Sequence, residues 1–266
     1  GKSLKYLEKG KEEFPVAAQV FGMEPEVLAK AVPKIEEQGF HIVDLNIGCP
    51  VPKITGCGGG SALLKNPQLA GDCVRAMCQS TSLPITVKIR AGWDDDTINA
   101  PTMARMMEDA GAAAVAVHGR TAKQSYKGIS DWSLIDKVAG AVSIPVFGSG
   151  DCVRPDQVVE RVANSGVSGV LVGRGALRNP WIFQQAQEMA AGRQVRVVTA
   201  RDRGQFLLDY IDLLLHEGLA EAHGFRPSAV KSDIPTGLAR RPPSSRERWV
   251  GNTVHAHGAS ATKGHY

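Results

Sequence analysis

The sequence predicts an α/β fold: a TIM-type (β/α)8 barrel with six of its eight strands present, followed by a partial helical segment. Three observations carry that prediction. Six short β-branched runs alternate with amphipathic stretches, which calls for a parallel sheet joined by crossover helices. At 266 residues and 43% hydrophobic content, the chain is long enough to bury a sizeable core. Polar or glycine-rich signals stand at the ends of nearly all the runs. In a barrel those ends converge on one mouth, whereas an open doubly wound sheet concentrates its site at one switch point.

The strand-like runs are 14–21, 42–47, 85–89, 113–117, 144–148 and 169–172. Run 42–47 reads as a strand packed on both faces, and a barrel of this kind is expected to hold layers of apolar side chains inside. Between the first two runs, 24–38 has a helical pattern with Pro25 near its start and Pro33 inside, which predicts a kink or break. Asn66 and Pro67 read as an N-cap followed by proline at the first helical position, with Leu69, Val74, Met77 and Cys78 forming an apolar face. Arg154 and Pro155 open another helix, with Val158, Val159 and Val162 inward and a stop near Gly166. Phosphate sites in such barrels are built from the loops after the seventh and eighth strands. If the last two runs are those strands, the first two are absent.

After Pro180 a helical pattern resumes at Trp181, and 206–215 reads as a strongly apolar helix. Residues 225–245 turn to Pro, Ser and Arg, the composition of a linker or disordered insertion, and 255–266 have no periodicity. The chain therefore divides into a barrel over 1–192 and a partial helical domain with a tail over 193–266.

Net charge is +4, and its location matters more than its size. Residues 193–266 hold eleven Lys and Arg against seven Asp and Glu, so 1–192 balance at twenty against twenty. A neutral body with a basic end suits a polyanionic partner, though such a surplus also serves ordinary solubility. The five cysteines form no C-x-x-C pair and no His cluster lies near them, which argues against a metal site and a secreted disulfide framework. No apolar run is long enough to span a bilayer and no charged-then-apolar leader opens the chain, so the expectation is a cytoplasmic protein off the membrane.

Chemistry is expected first at 43–53, where a strand delivers Asn46 and Cys49 into a turn between Gly48 and Pro50. Read alone, Cys49 is either a reactive thiol at a strand's carboxyl end or a small buried hydrophobe. Lys88 interrupts an otherwise apolar run, so its ammonium either points into the mouth or snorkels from a strand end. His118, beside Gly119, Arg120 and Thr121, is a candidate ligand contact or a satisfied core histidine. Gly148 and Gly150, with Gly173 and Gly175 around Arg174, suit a phosphate cradle, because glycines let backbone N–H groups approach an anion.

Six motifs, in order, resemble the bacterial tRNA-dihydrouridine synthases. They are V-x-x-Q-x-F-G from Val16, D-L-N-I-G-C-P-V-P-K from Asp44, G-G-G-S-A-L-L from Gly58, V-K-I-R-x-G-W-D from Val87, V-H-G-R-T from Val117 and G-R-G-A-L-x-N-P-W from Gly173. The resemblance spans about 1–190. It implies an FMN-dependent enzyme that uses NADPH to reduce selected tRNA uridines to dihydrouridine. By the same resemblance Cys49 is the proton donor, and Gln19, Lys88 and His118 contact the flavin ring. Ser149, Gly150, Asp151, Gly173 and Arg174 contact its phosphate, while Asn46 faces the target base and Arg120 joins it on the substrate side. Reduction of the C5=C6 bond needs a hydride from reduced flavin and a proton from the opposite face, which a thiol can supply. The uridine must leave its stack to be reached.

Three departures stand out. Ser149 replaces the family's asparagine, the family's first barrel strand with its P-M-A loop has no counterpart before Gly1, and only 246–249 and 262–264 echo the carboxyl-terminal tRNA-gripping domain. Two alternatives stay open at this point. One is an FMN-dependent dehydrogenase acting on a free pyrimidine, as dihydroorotate dehydrogenases do; the other is a flavin-free RNA-binding remnant.

Overall fold

The computed structural model describes Leu7, Lys9 and residues 14–216. The expectations for 225–245, 246–249, 255–266 and 262–264 lie outside the described residues. By its contacts the chain divides into two units, Ala17–Arg196 and a second made of Gly1–Val16 with Val197–Tyr266.

The first unit holds a six-stranded sheet in the order β1-β2-β3-β4-β5-β6, with every pairing parallel. The strands are β1 (Ala17–Val20), β2 (Ile42–Ile47), β3 (Ile85–Arg90), β4 (Ala114–His118), β5 (Val146–Ser149) and β6 (Gly169–Leu171). All six predicted runs contain a strand. The order never turns back, as a doubly wound sheet must at its switch point, so the strands are successive staves of a (β/α)8 barrel. Among the described residues no strand closes β6 onto β1.

The helices between them are α1 (Pro25–Glu37), α2 (Pro52–Thr55), α3 (Pro67–Cys78), α4 (Ala100–Asp109), α5 (Trp132–Ala139) and α6 (Pro155–Asn164), followed by α7 (Arg174–Arg178) and α8 (Ile182–Ala190). In the second unit α9 (Ala200–His216) covers the predicted apolar helix. The predicted cap of α3 forms, with the Asn66 side chain accepting from the Leu69 N–H at 3.2 Å. Its buried face is rotated from the expected one and consists of Ala70, Gly71, Cys73, Val74 and Met77.

Pro33 does not break α1, which runs through it. A helix-interior proline costs about 3 kcal/mol. Burying Leu28, Val32 and Ile35, each worth about 1.5–3 kcal/mol, more than offsets that. The prediction for α6 also needs correction: none of its residues is buried, and Val162 is 44% exposed. The helix packs against α8 and β6, which leave its side chains part-exposed.

Alternation along the strands separates the two faces of the sheet. Val43, Leu45, Ile47, Val87, Ile89, Val115 and Val117 are fully buried. They supply the apolar layer that packs with Met77, Met103, Met107, Ile135 and Val138 of the helices. In β2 and β3 the alternate residues are polar, namely Asp44, Asn46, Thr86, Lys88 and Arg90, whereas in β4 the same face holds Ala114 and Ala116 before His118. The expected apolar interior is therefore corrected over β2 and β3, whose inner face is charged and hydrogen-bonded, while Ala114, Ala116 and Phe147 keep β4 and β5 apolar there up to His118 and Ser149.

Candidate active site

Strand register assembles that polar face into rows. Gln19 pairs with Asp44 and Asp44 with Thr86; one step up, Asn46 pairs with Lys88; one further, Arg90 pairs with His118 and His118 with Ser149. Parallel strands place such partners side by side on one face. Residues far apart in the sequence thus meet at one end of the sheet.

Asn46 shapes the turn that carries Cys49. Its side-chain Oδ1 accepts the N–H groups of Gly48 at 3.0 Å and Cys49 at 2.8 Å, an Asx turn closing the strand. The Cys49 carbonyl accepts the Ser61 N–H at 3.0 Å. Gly60 approaches so closely at φ +58 that a Cβ there would lie 2.7 Å from that carbonyl oxygen. Cys49 is thus a free, partly accessible thiol on a backbone fixed from both sides. Cys73 and Cys152 differ, because burial pushes both thiols up to about 11. Those two are inert core residues.

Lys88 stands between Asn46 and Ala116 on the neighbouring strands. Desolvation lowers its pKa to about 8, with the Arg90 charge pushing the same way and Asp44 opposing. His118 is 8% exposed, and its Nδ1 lies 3.0 Å from the Ser149 carbonyl. Burial, then the Lys88 charge, hold its pKa down at about 4. The ring is therefore neutral with its proton on Nδ1, the nitrogen that must donate to a carbonyl. That leaves Nε2 as a buried acceptor with no partner.

Arg90 and Arg120 pin the surrounding loops. Arg90 donates through Nε to the Gly48 carbonyl at 2.7 Å and through Nη1 to the carbonyls of Thr121 and Ser125, both at 3.0 Å. Arg120 is 2% exposed and donates to the carbonyls of Lys127 at 3.0 Å and Gly128 at 2.6 Å. Its Nη2 also meets both carboxylate oxygens of Asp151 at 2.9 Å. Only its Nη1 is a buried donor without a partner. The Asp151 carboxylate further accepts the Ser130 N–H at 2.8 Å and lies 3.5 Å from Arg174.

Gly150 cannot carry a side chain, since at φ +132 a Cβ would sit 2.2 Å from the Ser130 hydroxyl. Of the second glycine pair, Gly175 is the packed one: a Cβ there would lie 2.5 Å from the Cys152 carbonyl, whereas Gly173 has open space around it. Arg174 is half-exposed and its guanidinium lies 5.1 Å from the Tyr126 ring centre.

The pattern of motifs and this arrangement can be compared with known proteins. The sequence profile described as dihydrouridine synthase (Dus) matches residues 2–229. The chain belongs to the dihydrouridine synthase family. A probable tRNA-dihydrouridine synthase of Rickettsia conorii is 40% identical over 215 residues, 77% of this chain and 64% of that protein. The tRNA-dihydrouridine synthase B of Xanthomonas axonopodis pv. citri is 37% identical over 194 residues, 73% of this chain and 58% of that protein. The chain thus spans about three fifths of the length of these relatives. A crystal structure of mandelate oxidase with benzoyl-formic acid superposes with a TM-score of 0.46 at 20% identity, over 65% of this chain and 57% of that one.

Within this chain, the predicted residues Asn46, Cys49, Lys88, His118, Ser149 and Gly150 share the carboxyl ends of β2 to β5 or the loops that follow. Gln19 joins them through Asn46, which donates to its Oε1 at 2.7 Å. Arg174, next to Gly173, reaches the group through Asp151. Sequence reading gives no role to Asp44, Arg90, Tyr126 or Ser130, whose partners are set by strand register and loop return. The available signal was the polar alternation D-x-N in β2 and K-x-R in β3. A cavity of about 490 Å³ lined by Leu64, Lys65, Pro67, Trp93, Asp94, Thr97 and Asn99 contains none of the site residues. Among the described residues no His, Cys, Asp and Glu group could hold a metal, and no helix is long and apolar enough to cross a membrane.

Proposed function

We propose that this chain is the catalytic barrel of an enzyme that reduces the C5=C6 bond of uridine in tRNA, with FMN as cofactor and NADPH as reductant, in the cytoplasm. One observation carries the reading. A fixed, partly accessible cysteine shares the strand ends with the cations Lys88 and Arg90 and with a neutral His118 whose buried Nε2 has no partner. Excess buried positive charge with an orphan acceptor at His118 Nε2 and an orphan donor at Arg120 Nη1 fits a planar, anionic, hydrogen-bonding ligand. A flavin phosphate has that character.

Gln19, Lys88 and His118 would hold the flavin ring. The backbone of Ser149, Gly150 and Asp151, with Gly173 and Arg174, would hold its phosphate. The Asp151 carboxylate is already engaged by Arg120, so its part is to fix cations while main-chain N–H groups meet the phosphate. FMN held there would supply the hydride equivalent for C6 of the uracil, with NADPH as its source. The residues of the chain do the rest. Lys88 would set positive charge beside the flavin ring, Asn46 and Arg120 would orient the extruded base, and the Cys49 thiol would give its proton to C5. The basic segment 193–266 would grip the RNA backbone.

Incubation of the FMN-reconstituted protein with NADPH and unmodified tRNA, followed by nucleoside mass spectrometry, tests the reading. Dihydrouridine in tRNA is expected, and none from free uridine. Reduction of free uridine with tRNA untouched would refute it.

A further inference from the structure

The mouth contains a carboxylate to which no step above assigns a role. Asp44 is 5% exposed in the middle of β2, below Asn46 on the same face. A buried carboxylate is tolerated only when its oxygens are hydrogen-bonded, and both are. Oδ1 accepts from the Thr86 hydroxyl at 2.7 Å, and Oδ2 accepts from Gln19 Nε2 at 2.6 Å.

The consequence follows from donor and acceptor logic. An ionised carboxylate can only accept, so Gln19 must turn its NH₂ toward Asp44 and its carbonyl oxygen toward Asn46. Asn46 must then offer its own NH₂ to Gln19, as it does at 2.7 Å, and its Oδ1 is left facing the N–H groups of Gly48 and Cys49. Side-chain amides are otherwise free to sit either way round. The acceptor-only group at the foot of the chain fixes two amides in sequence, and the second one shapes the cysteine turn.

We infer that Asp44 is a positioning residue for Cys49, acting through the polarity of the Gln19–Asn46 amide chain. Asparagine at 44 has nearly the same shape but can donate to Gln19, which permits the chain to reverse and present an NH₂ to the Cys49 N–H. The inference rests on the reading of Cys49 as the proton donor for its catalytic meaning, but the link itself is testable without turnover.

The test is the rate of iodoacetamide alkylation at Cys49 in the unliganded protein, read by peptide mass spectrometry, with exposed Cys57 as internal reference. Losing the hydrogen bond that holds the turn should raise the Cys49 rate in Asp44→Asn by about fivefold, with Cys57 unchanged. The double variant Asp44→Asn/Gln19→Glu moves the acceptor-only group one link along, so a carboxylate again accepts from Asn46, and the rate should return to that of the parent. Should Asp44→Asn fail to fold, Gln19→Met cuts the same chain and should give the same rise. An unchanged Cys49 rate in a folded single variant, an equal rise at Cys57, or no reversal in the double variant would each overturn the inference. If the rates behave as expected while Cys49→Ala still reduces tRNA, the positioning link stands and the proton-donor reading falls.

Discussion

At the scale of single residues, the chemistry depends on charges held where water is scarce. Lys88 has an ordinary value of 10.5 lowered to about 8 by desolvation, then by Arg90. Below about pH 8 the ammonium is charged in both folded and unfolded chains, and its burial weakens the fold. Between about pH 8 and 10.5 the folded chain sheds the proton that the unfolded chain keeps, so stability rises with pH across that window. Lys88→Met should flatten this rise in denaturant melts of the unliganded protein and add about 1–3 kcal/mol of stability near pH 7. The same substitution should weaken FMN binding, because the buried ammonium is the charge an anionic ring would meet. Arg174, half-exposed beside Asp151, is expected to meet the phosphate with a charge-assisted bond. Arg174→Ala should therefore reduce FMN affinity by about tenfold or more in a fluorescence titration while leaving riboflavin affinity nearly unchanged. Equal losses for both ligands would place the phosphate elsewhere.

At the scale of elements, loops are fixed by specific close approaches rather than by glycine content. Gly150 meets Ser130, and the loop is further held by Trp132, whose indole N–H donates to the Gly150 carbonyl at 3.0 Å. Gly150→Ala should cost about 2–4 kcal/mol in a denaturant melt, whereas Gly173→Ala, in open space, should cost less than about 1 kcal/mol. The strands and their order were legible because β-branched runs bounded by glycine and proline have few other readings. The polar inner face was harder to see. In I-V-D-L-N-I the apolar residues dominate, and only the pairing of Asp44 with Gln19 and Thr86 shows that the alternate positions form a network. Pro33 does not break α1 because the tertiary burial of Val32 and Ile35 outweighs local propensity. For α6, the valine spacing marks the inward face, but α8 and β6 cover it only in part, and sequence does not say how closely a neighbour packs.

At the scale of the whole molecule, the described sheet ends at β1 and β6 with parallel partners on one side only. Unpaired N–H and C=O groups along such edges favour further pairing. The 266-residue chain alone should show concentration-dependent self-association in sedimentation velocity; a monomer at all concentrations, melting sharply, would mean the edges are covered within the chain. The cysteine motif, Lys88, His118 and the glycine loops were legible from sequence because each stands in a local pattern. Their convergence depends on strand register, which only the fold supplies. The central claim, that Cys49 completes the reaction begun at the flavin, is tested most directly by Cys49→Ala in the FMN-loaded protein, with flavin reduction by NADPH and dihydrouridine formation in tRNA measured separately. Flavin content and its reduction should match the parent protein, while dihydrouridine formation falls by about 10²- to 10⁴-fold. Dihydrouridine formation at the parent rate, or a loss matched by an equal loss of bound flavin, would contradict the account.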